Sequence, residues 1–383
     1  MNPHIHIISF DIPYPADYGG VIDVYYKIKS LFNAGINIHL HCFSYGREKA
    51  MILEKYCISV NYYPRKLGII QNISTTPYII KSRISQKLID NLNKDSHPIL
   101  CEGMHSCGII LEERIKNRLL IYRASNVEHH YYLGLAKNEQ NPFKRLYFYI
   151  EAAKLKKWEH FLAKADLFLS VSTKEEEYYK NNFPDNRIEN IYPYFEQDND
   201  TIPLFNEGNN FILFHGNLSV QENEETALYI IKKIAPKVNY QIILAGKSPH
   251  QRLYDISKST DNVIIEANPN EQKMHTLIRS AYINLLLTNQ ETGLKLKLLN
   301  SLYKGKHCLV NENMLTGTEL HRCVTIGNTT QEIIDQINKL MLIDFKETDY
   351  WKRRKLIPQE FNNGYKSRKL IDLVFTSHLT NNE

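Results

Sequence analysis

Short runs of Ile, Val, Leu and Phe alternate along this chain with longer runs in which apolar residues recur every three or four positions. The first pattern suits strands buried on both faces and the second suits helices that cover them, which is how parallel sheets are built. In the first half the predicted strands are residues 4–10, 36–43, 60–63, 98–102, 119–123 and 167–171, with helices over 21–33, 84–94, 144–164 and 174–182. Ser172 and Glu175 have the spacing of a capping box at the start of the last of these. The second half repeats the alternation more regularly, with strands over 211–214, 241–245, 262–265, 283–287, 308–310 and 323–326. Helices fill its gaps over 223–235, 271–280, 294–303 and 330–342. Residues 196–210 between the halves are polar and turn-rich, with no apolar period that joins either core. The expected fold class is α/β, with two Rossmann-like doubly wound domains facing a central cleft, because ligands of such sheets bind at the carboxyl ends of the strands. The domains are expected over 1–197 and 198–350, followed by a C-terminal segment over 351–383.

A chain of 383 residues exceeds one ordinary core, which agrees with two domains. The net charge of +5, from 47 basic and 42 acidic residues, is too mild for the dense basic face of a nucleic-acid binder, and no nucleic-acid partner is expected. It favours an anionic substrate instead. The six cysteines include no CxxC pair, so reduced thiols are the expectation. The opening His4 to Phe10 lacks the features of a signal peptide, and no apolar run approaches the roughly 20 residues of a spanning helix. A cytoplasmic location follows as the expectation. Residues 143–157 mix bases with aromatics, which fits a domain-packing face and also fits peripheral contact at the inner face of a membrane.

Candidate chemistry is densest after the strand 283–287. Gly293 lets backbone amides approach a phosphate, and the helix predicted to start beside it points its positive end the same way. Lys295 and Lys297 are expected in the first turn of that helix, against its dipole, so an anionic ligand is a physical reason for them; a solvated basic helix face is the bland alternative. Gly305 is read as the C-terminal cap. In the first half, residues 11–20 end in Gly19 and Gly20 ahead of a helix, either as a ligand loop or as an ordinary Pro/Gly connection. No Gly-x-Gly-x-x-Gly follows either opening strand, which disfavours a dinucleotide-dependent oxidoreductase. No Asp-x-Asp stands at a strand end to hold a metal.

With these residues in view, the chain resembles the retaining GT-B glycosyltransferases of the family 4 type, the group 1 glycosyltransferases. The segment 290–305 is similar to their donor motif Gly-x-Arg/Lys-x-Lys-x-x-Glu-Ala. The resemblance assigns diphosphate binding to Lys295 and Lys297, with Gly293 and Leu294 in the same turn. It assigns ribose binding to Asn300, where the motif has Glu, and places Glu291 beside the carboxylate that faces the transferred sugar, one residue out of register. The run from Phe214 through Gly216 and Asn217 to Leu218 resembles the first loop of the donor domain, without the Arg and Lys that many relatives carry there. His105, four residues after Cys101, stands where relatives have a His near the reacting sugar. Glu128 stands in their acceptor-side Asn-Val-Glu loop, followed by His129 and His130, whose adjacency on a loop is poor for metal ligation. The final segment resembles the C-terminal helix that returns to the first domain. What the resemblance implies is hexosyl transfer with retention, from a UDP- or GDP-sugar type of donor to a saccharide or lipid-linked acceptor in surface polysaccharide or glycan synthesis, with no metal and no cofactor. Two alternatives stay open: a sugar-nucleotide epimerase on the same frame, and a catalytically silent partner protein, which Asn300 and the missing bases after Gly216 favour.

Overall fold

The computed structural model describes residues 2–68, 73–115, 117–197, 202–205, 210–290 and 294–376. They form two compact units, Met1–Phe195 with Glu360–Glu383, and Glu196–Gln359. Most of the polar stretch over 196–210 lies outside the described residues.

The first unit is built on a seven-stranded sheet in the order β3-β2-β1-β4-β5-β6-β7. Its strands are β1 (His4–Ser9), β2 (Asn37–Ser44), β3 (Ser59–Pro64), β4 (Ile99–Glu102), β5 (Leu120–Arg123), β6 (Leu167–Ser170) and β7 (Arg187–Asn190). Every pairing is parallel. Ile5 and Ile7 of β1 enter one apolar cluster and Ile8 enters another on the opposite face, the double burial that the continuous apolar runs require. The second unit carries six parallel strands in the order β10-β9-β8-β11-β12-β13. These are β8 (Phe211–His215), β9 (Gln241–Gly246), β10 (Val263–Ala267), β11 (Ile283–Leu286), β12 (His307–Val310) and β13 (Thr325–Ile326). In both sheets the chain winds outward one way from the first strand and then crosses to the other side. The switch points lie between β1 and β4 and between β8 and β11, where doubly wound sheets bind ligands.

The elements depart from the sequence reading in places that have local causes. β7 was not expected: it reads Arg-Ile-Glu-Asn, and as an edge strand it buries only Ile188. The helix Glu128–Asn138 was also not expected, since its polar and apolar residues follow no clear stripe. The helix expected over 223–235 starts at Gln221 and holds α geometry only to Tyr229, passing through a π turn, Ile230–Ile234, before Pro236. The C-terminal segment is not one helix: Glu347–Leu356 belongs to the second unit and Asn363–Ile371 to the first, with Pro358 preventing continuation between them.

A group of charged side chains is sealed inside the first unit. Asp23, on the helix Gly19–Asn33, accepts from Arg123 Nε at 3.2 Å and Nη2 at 3.1 Å, from Lys27 Nζ at 3.4 Å, and from the Tyr194 amide at 2.7 Å. Lys27 also donates to Glu102 at 2.6 Å. Lys366, from the returning helix Asn363–Ile371, donates to the Pro193 carbonyl at 2.7 Å and lies over the Tyr194 ring. Burial pushes the Asp23 carboxyl up, but Arg123 and then Lys27 overcome it and hold it below the usual carboxylate range. Burial raises Glu102 against the pull of Lys27, and burial holds Lys366 well below its ordinary value. Removing one member of such a set leaves buried charge uncompensated. Asp23→Ala is therefore expected to cost about 3–5 kcal/mol, read as a lowered urea midpoint of the first unit's transition; an unchanged midpoint would show that the network carries no stability.

Candidate active site

At the switch point of the first unit, β1 leads into the loop 10–18 and the helix Gly19–Asn33, while β4 ends at Glu102 and turns through Gly103. Asp11 holds this loop: its carboxylate accepts from the Ile12 amide at 2.8 Å and the Tyr18 hydroxyl at 2.9 Å, with Arg47 Nε at 3.4 Å. Arg47 reaches the Pro15 carbonyl at 2.7 Å and pairs with Asp17. Gly19 and Gly20 are the first two residues of the helix rather than loop residues ahead of it, and Tyr18 supplies no side-chain cap. A Cβ on Gly20 would lie 2.7 Å from the Phe10 ring, so this glycine makes room for Phe10 to cover the helix start.

Phe10 in turn packs on His105, with ring centroids 5.2 Å apart. Gly103 adopts a φ of +69°, the left-handed region that favours glycine, and this turn swings His105 back over the sheet edge. His105 Nδ1 has no hydrogen-bond partner and lies 3.9 Å from Glu128 Oε1. Glu128 is the first residue of the helix Glu128–Asn138, is 2% exposed, and accepts from Ser125 Oγ at 3.3 Å. Burial, with Arg83 and Arg65 adding to it, keeps His105 well below its ordinary value and hence neutral. Burial pushes Glu128 up to about 7, against the Ser125 bond and the Arg83 charge. A neutral imidazole beside a carboxyl that changes protonation near neutrality can orient a hydroxyl and exchange a proton with it. His129 turns away from this pair, to Glu159 at 3.5 Å.

In the second unit, β8 leads through His215 to Gly216 and Asn217 and then to the helix Gln221–Tyr229. A Cβ on Gly246 would fall 1.8 Å from the Gly216 carbonyl oxygen, so two strand-end loops meet backbone to backbone here. Asn217 Oδ1 closes a turn by accepting from the Ser219 amide at 3.1 Å and hydroxyl at 2.8 Å. On the other side of the switch point, Leu294 and the extended residue Lys295 precede the helix Leu296–Lys304, which starts two residues later than its apolar pattern suggests. Lys295 is thus the N-cap residue, and only Lys297 sits in the first turn. Lys297 Nζ donates to Asn223 Oδ1 at 3.4 Å and lies 5.3 Å from the Phe214 ring centroid, with no carboxylate in ion-pair distance among the described residues. Burial lowers it to about 8, with Glu222 opposing. Asn300 carries a buried Oδ1 with no hydrogen-bond partner. Gly305 caps the helix at a φ of −96°, so it is not a left-handed cap; a Cβ there would meet Asn284 Nδ2 at 2.3 Å and the Ser301 carbonyl at 2.9 Å. Glu291 and Gly293 lie outside the described residues.

The structure thus groups His105 with Glu128 and the Gly19–Gly20 helix start in one unit, and Gly216 and Asn217 with Lys297 and Asn300 at the switch point of the other. Sequence reasoning passed over Arg47, Arg65, Arg83, Ser125 and Glu222. Glu222 accepts from the Asn289 amide at 3.2 Å and from the Thr288 hydroxyl, tying the helix Gln221–Tyr229 to the end of β11. None of these five residues stands in a recurring spacing, and only their contacts show them. Among the described residues two groups of side chains have ligand atoms close enough for a metal, His4 with His39 and His97, and Glu196 with Glu271 and His275; in the second, Glu196 is already paired with His275 at 2.8 Å and with Lys304.

No protein-family model matches the chain. It is 27% identical over 323 residues to a Klebsiella pneumoniae protein described as an uncharacterized 44.6 kDa protein in the cps region, a match spanning 78% of this chain and 80% of that one. Among solved structures, Anabaena HepE in complex with UDP and glucose superposes with a TM-score of 0.64 at 12% identity, over 98% of this chain and 100% of that one. A glycosyltransferase from Rickettsia africae gives 0.67 at 12% identity, over 100% of both chains. The lipopolysaccharide outer core galactosyltransferase WaaB gives 0.64 at 12% identity, over 98% of this chain and 99% of its own. The fold is GT-B. The two Rossmann-like units of a GT-B chain account for both parallel sheets and for the return of the last helix to the first unit. Among the described residues no helix is long and apolar enough to cross a membrane.

The protonation state of Glu128 gives a measurable consequence on this GT-B scaffold. Its folded value is raised, so the unfolded chain ionises first, and stability falls as pH climbs from the ordinary carboxylate range to about 7 and levels off beyond. Glu128→Gln removes that penalty. The urea midpoint of the wild type is expected to drop between about pH 5 and about pH 8 by more than that of the variant; parallel pH profiles would refute the buried, protonatable carboxyl.

Proposed function

We propose that this protein is a glycosyltransferase that moves a hexosyl group from a nucleoside-diphosphate sugar to a saccharide or lipid-linked acceptor, with retention and without a metal, in surface-polysaccharide synthesis. The observation that carries the reading is the β8/β11 switch point, where a desolvated ammonium without a carboxylate partner among the described residues, Lys297, stands beside the close-packed Gly216 loop and the unpartnered amide oxygen of Asn300. The UDP and UDP-glucose bound by HepE support a nucleotide-sugar donor. The cps location of the Klebsiella relative and the lipopolysaccharide named for WaaB support a polysaccharide pathway.

In this mechanism Lys295 and Lys297 take up the charge that develops on the departing diphosphate, helped by the backbone amides at the start of the helix Leu296–Lys304. Asn300 Oδ1 accepts from a ribose hydroxyl, without the charge that strengthens such a bond in a carboxylate. In the first unit, His105 and Glu128 orient the reacting hydroxyls. The acceptor proton passes to the departing phosphate on the face from which the diphosphate leaves, which is what retention without an enzymic nucleophile requires.

A panel of labelled nucleotide sugars tests the reading. Transfer or slow donor hydrolysis is expected; interconversion of the sugar would instead indicate an epimerase, and no donor binding by calorimetry a silent partner. The double substitution Lys295→Ala with Lys297→Ala should weaken UDP or GDP binding by about 3 kcal/mol, roughly a hundredfold. Wild-type affinity should fall as pH rises through about 8, where Lys297 gives up its proton in the free protein, and Lys297→Ala should flatten that slope. His105→Ala should leave nucleotide binding intact and lower turnover. Unchanged nucleotide affinity in the double variant would remove the diphosphate site from Lys295 and Lys297.

A further inference from the structure

Arg83 is 4% exposed, and no carboxylate lies in ion-pair distance of it among the described residues. Its Nε donates to the Phe10 carbonyl at 2.9 Å and its Nη1 to the Ile79 carbonyl at 2.8 Å. Nη2 has no partner among the described residues. Two carbonyls thus fix the guanidinium plane and leave one edge unused. The nearby carboxylate of Asp11 is engaged by Arg47 and Tyr18. Arg65, just past β3, donates through Nε to Ser82 Oγ at 3.0 Å, and it too has no acid in ion-pair distance among the described residues. Its guanidinium carbon lies 4.3 Å from the centroid of the Tyr45 ring and 5.1 Å from that of Tyr78; Arg83 lies 5.5 Å from the same Tyr45 ring. Two cations therefore converge on one half-exposed tyrosine, and each depresses the protonation of His105. Burying a cation without a counter-charge is unfavourable, so folding alone gives no reason for this arrangement.

We propose that Arg83 and Arg65 form a receptor for a phosphate ester on the acceptor substrate, held beside the hydroxyl that His105 and Glu128 face. The site adjoins those residues through Phe10, whose carbonyl anchors Arg83 and whose ring packs on His105. Phosphate fits better than carboxylate. Arg83 Nη2 and the two terminal nitrogens of Arg65 present donors from two directions, which match several oxygens spread about one centre, and the two positive charges match a phosphate that carries up to two negative ones. The Tyr45 ring attracts both guanidiniums and helps to orient them. Position agrees, since Tyr45 follows β2 and Arg65 follows β3 at the carboxyl edge of the sheet, where the ligands of such sheets lie. A soluble sugar phosphate carries the phosphate as a monoester and a polyprenyl-phosphate-linked sugar carries it as a diester, so a phosphate ester is the chemistry shared between the two sources.

This inference rests on the glycosyltransferase reading, and the experiment separates the two. Glucose 1-phosphate and glucose are titrated into the full chain by calorimetry, and flotation is measured with phosphatidylcholine vesicles with and without undecaprenyl phosphate. Preferential binding of glucose 1-phosphate identifies a soluble phosphate ester, and preferential binding of the undecaprenyl phosphate vesicles identifies a lipid-linked one. Either preference is expected to fall about tenfold or more in Arg65→Gln, the fold-change of one charge-assisted bond, and further in Arg83→Gln. Arg65 is the primary test because it lies nearer the surface than Arg83, and its variant is checked for an unchanged thermal midpoint. UDP binding is the control: it should be the same in wild type and Arg65→Gln. Absent UDP binding in the wild type sinks the transferase reading and leaves the phosphate receptor standing. Equal affinity for glucose and glucose 1-phosphate together with equal flotation of the two vesicles, or Arg65→Gln binding like wild type, overturns the receptor.

Discussion

The first unit turns on a single buried carboxylate. Asp23 ties the helix Gly19–Asn33 to β5 through Arg123, and to the chain beyond β7 through the Tyr194 amide. Arg123 extends the same set to the Ser170 and Ile191 carbonyls, and Lys27 extends it to Glu102 at the end of β4. These contacts run across the carboxyl half of the sheet, directly below the loops that carry Phe10, His105 and Glu128. Hydrophobic clusters on either face would hold the sheet together without them. What the ions add is direction: a charge sealed from water has few acceptable arrangements, so the helix start and the ends of β4 and β5 are held in one register. The returning helix Asn363–Ile371 joins the set through Lys366, and Asn363 Nδ2 donates to the Phe195 carbonyl at 2.7 Å, so the last helix is part of the support of this edge.

On that support the two switch points follow opposite electrostatic rules. In the first unit burial favours neutrality, keeping His105 uncharged and raising Glu128, while uncompensated charge is left on Arg83 and Arg65 a short distance away. In the second unit the charge sits at the switch point itself, on Lys297, and burial lowers it only to about 8. A neutral donor–acceptor pair suits recognition of sugar hydroxyls, and a desolvated ammonium suits a diphosphate. The same fold thus places two different electrostatic environments at equivalent positions, set by which side chains the loops deliver.

Most of the sheet was legible because its strands are short apolar runs, as in residues 211–214 and 308–310, which double burial makes unavoidable. β7 was not, because an edge strand such as Arg-Ile-Glu-Asn needs only one buried side chain. The helix Glu128–Asn138 escaped for a related reason: it buries Glu128, His129 and Ala136, not a stripe of apolar residues. At the site, glycine and lysine positions after strand ends could be picked out by motif. Their roles were less legible. Gly20 makes room for Phe10 and Gly305 makes room for Asn284, both packing facts that depend on residues distant in sequence. Arg83 sits among Ile79, Ile80 and Ile84 with no local mark of function, and only the carbonyls of Phe10 and Ile79 reveal that its plane is fixed and one edge unused.

That unused edge bears on what the fold is for. A buried donor or acceptor without a partner costs about 1–3 kcal/mol. Each unit keeps such a group near its switch point: His105 Nδ1 in the first, and Asn300 Oδ1 in the second. Asn300 was the best argument for a silent partner protein, since the acid of the family motif is missing there. Its burial argues the other way. A scaffold freed from ligand binding gains stability by filling such a position with an apolar side chain or by giving it an internal partner, as Asn217 and Asn262 have. An amide oxygen kept unpartnered on the same helix as Lys297 is suited to accept from a hydroxyl brought in from outside, and in the proposed transferase that hydroxyl belongs to the ribose of the donor.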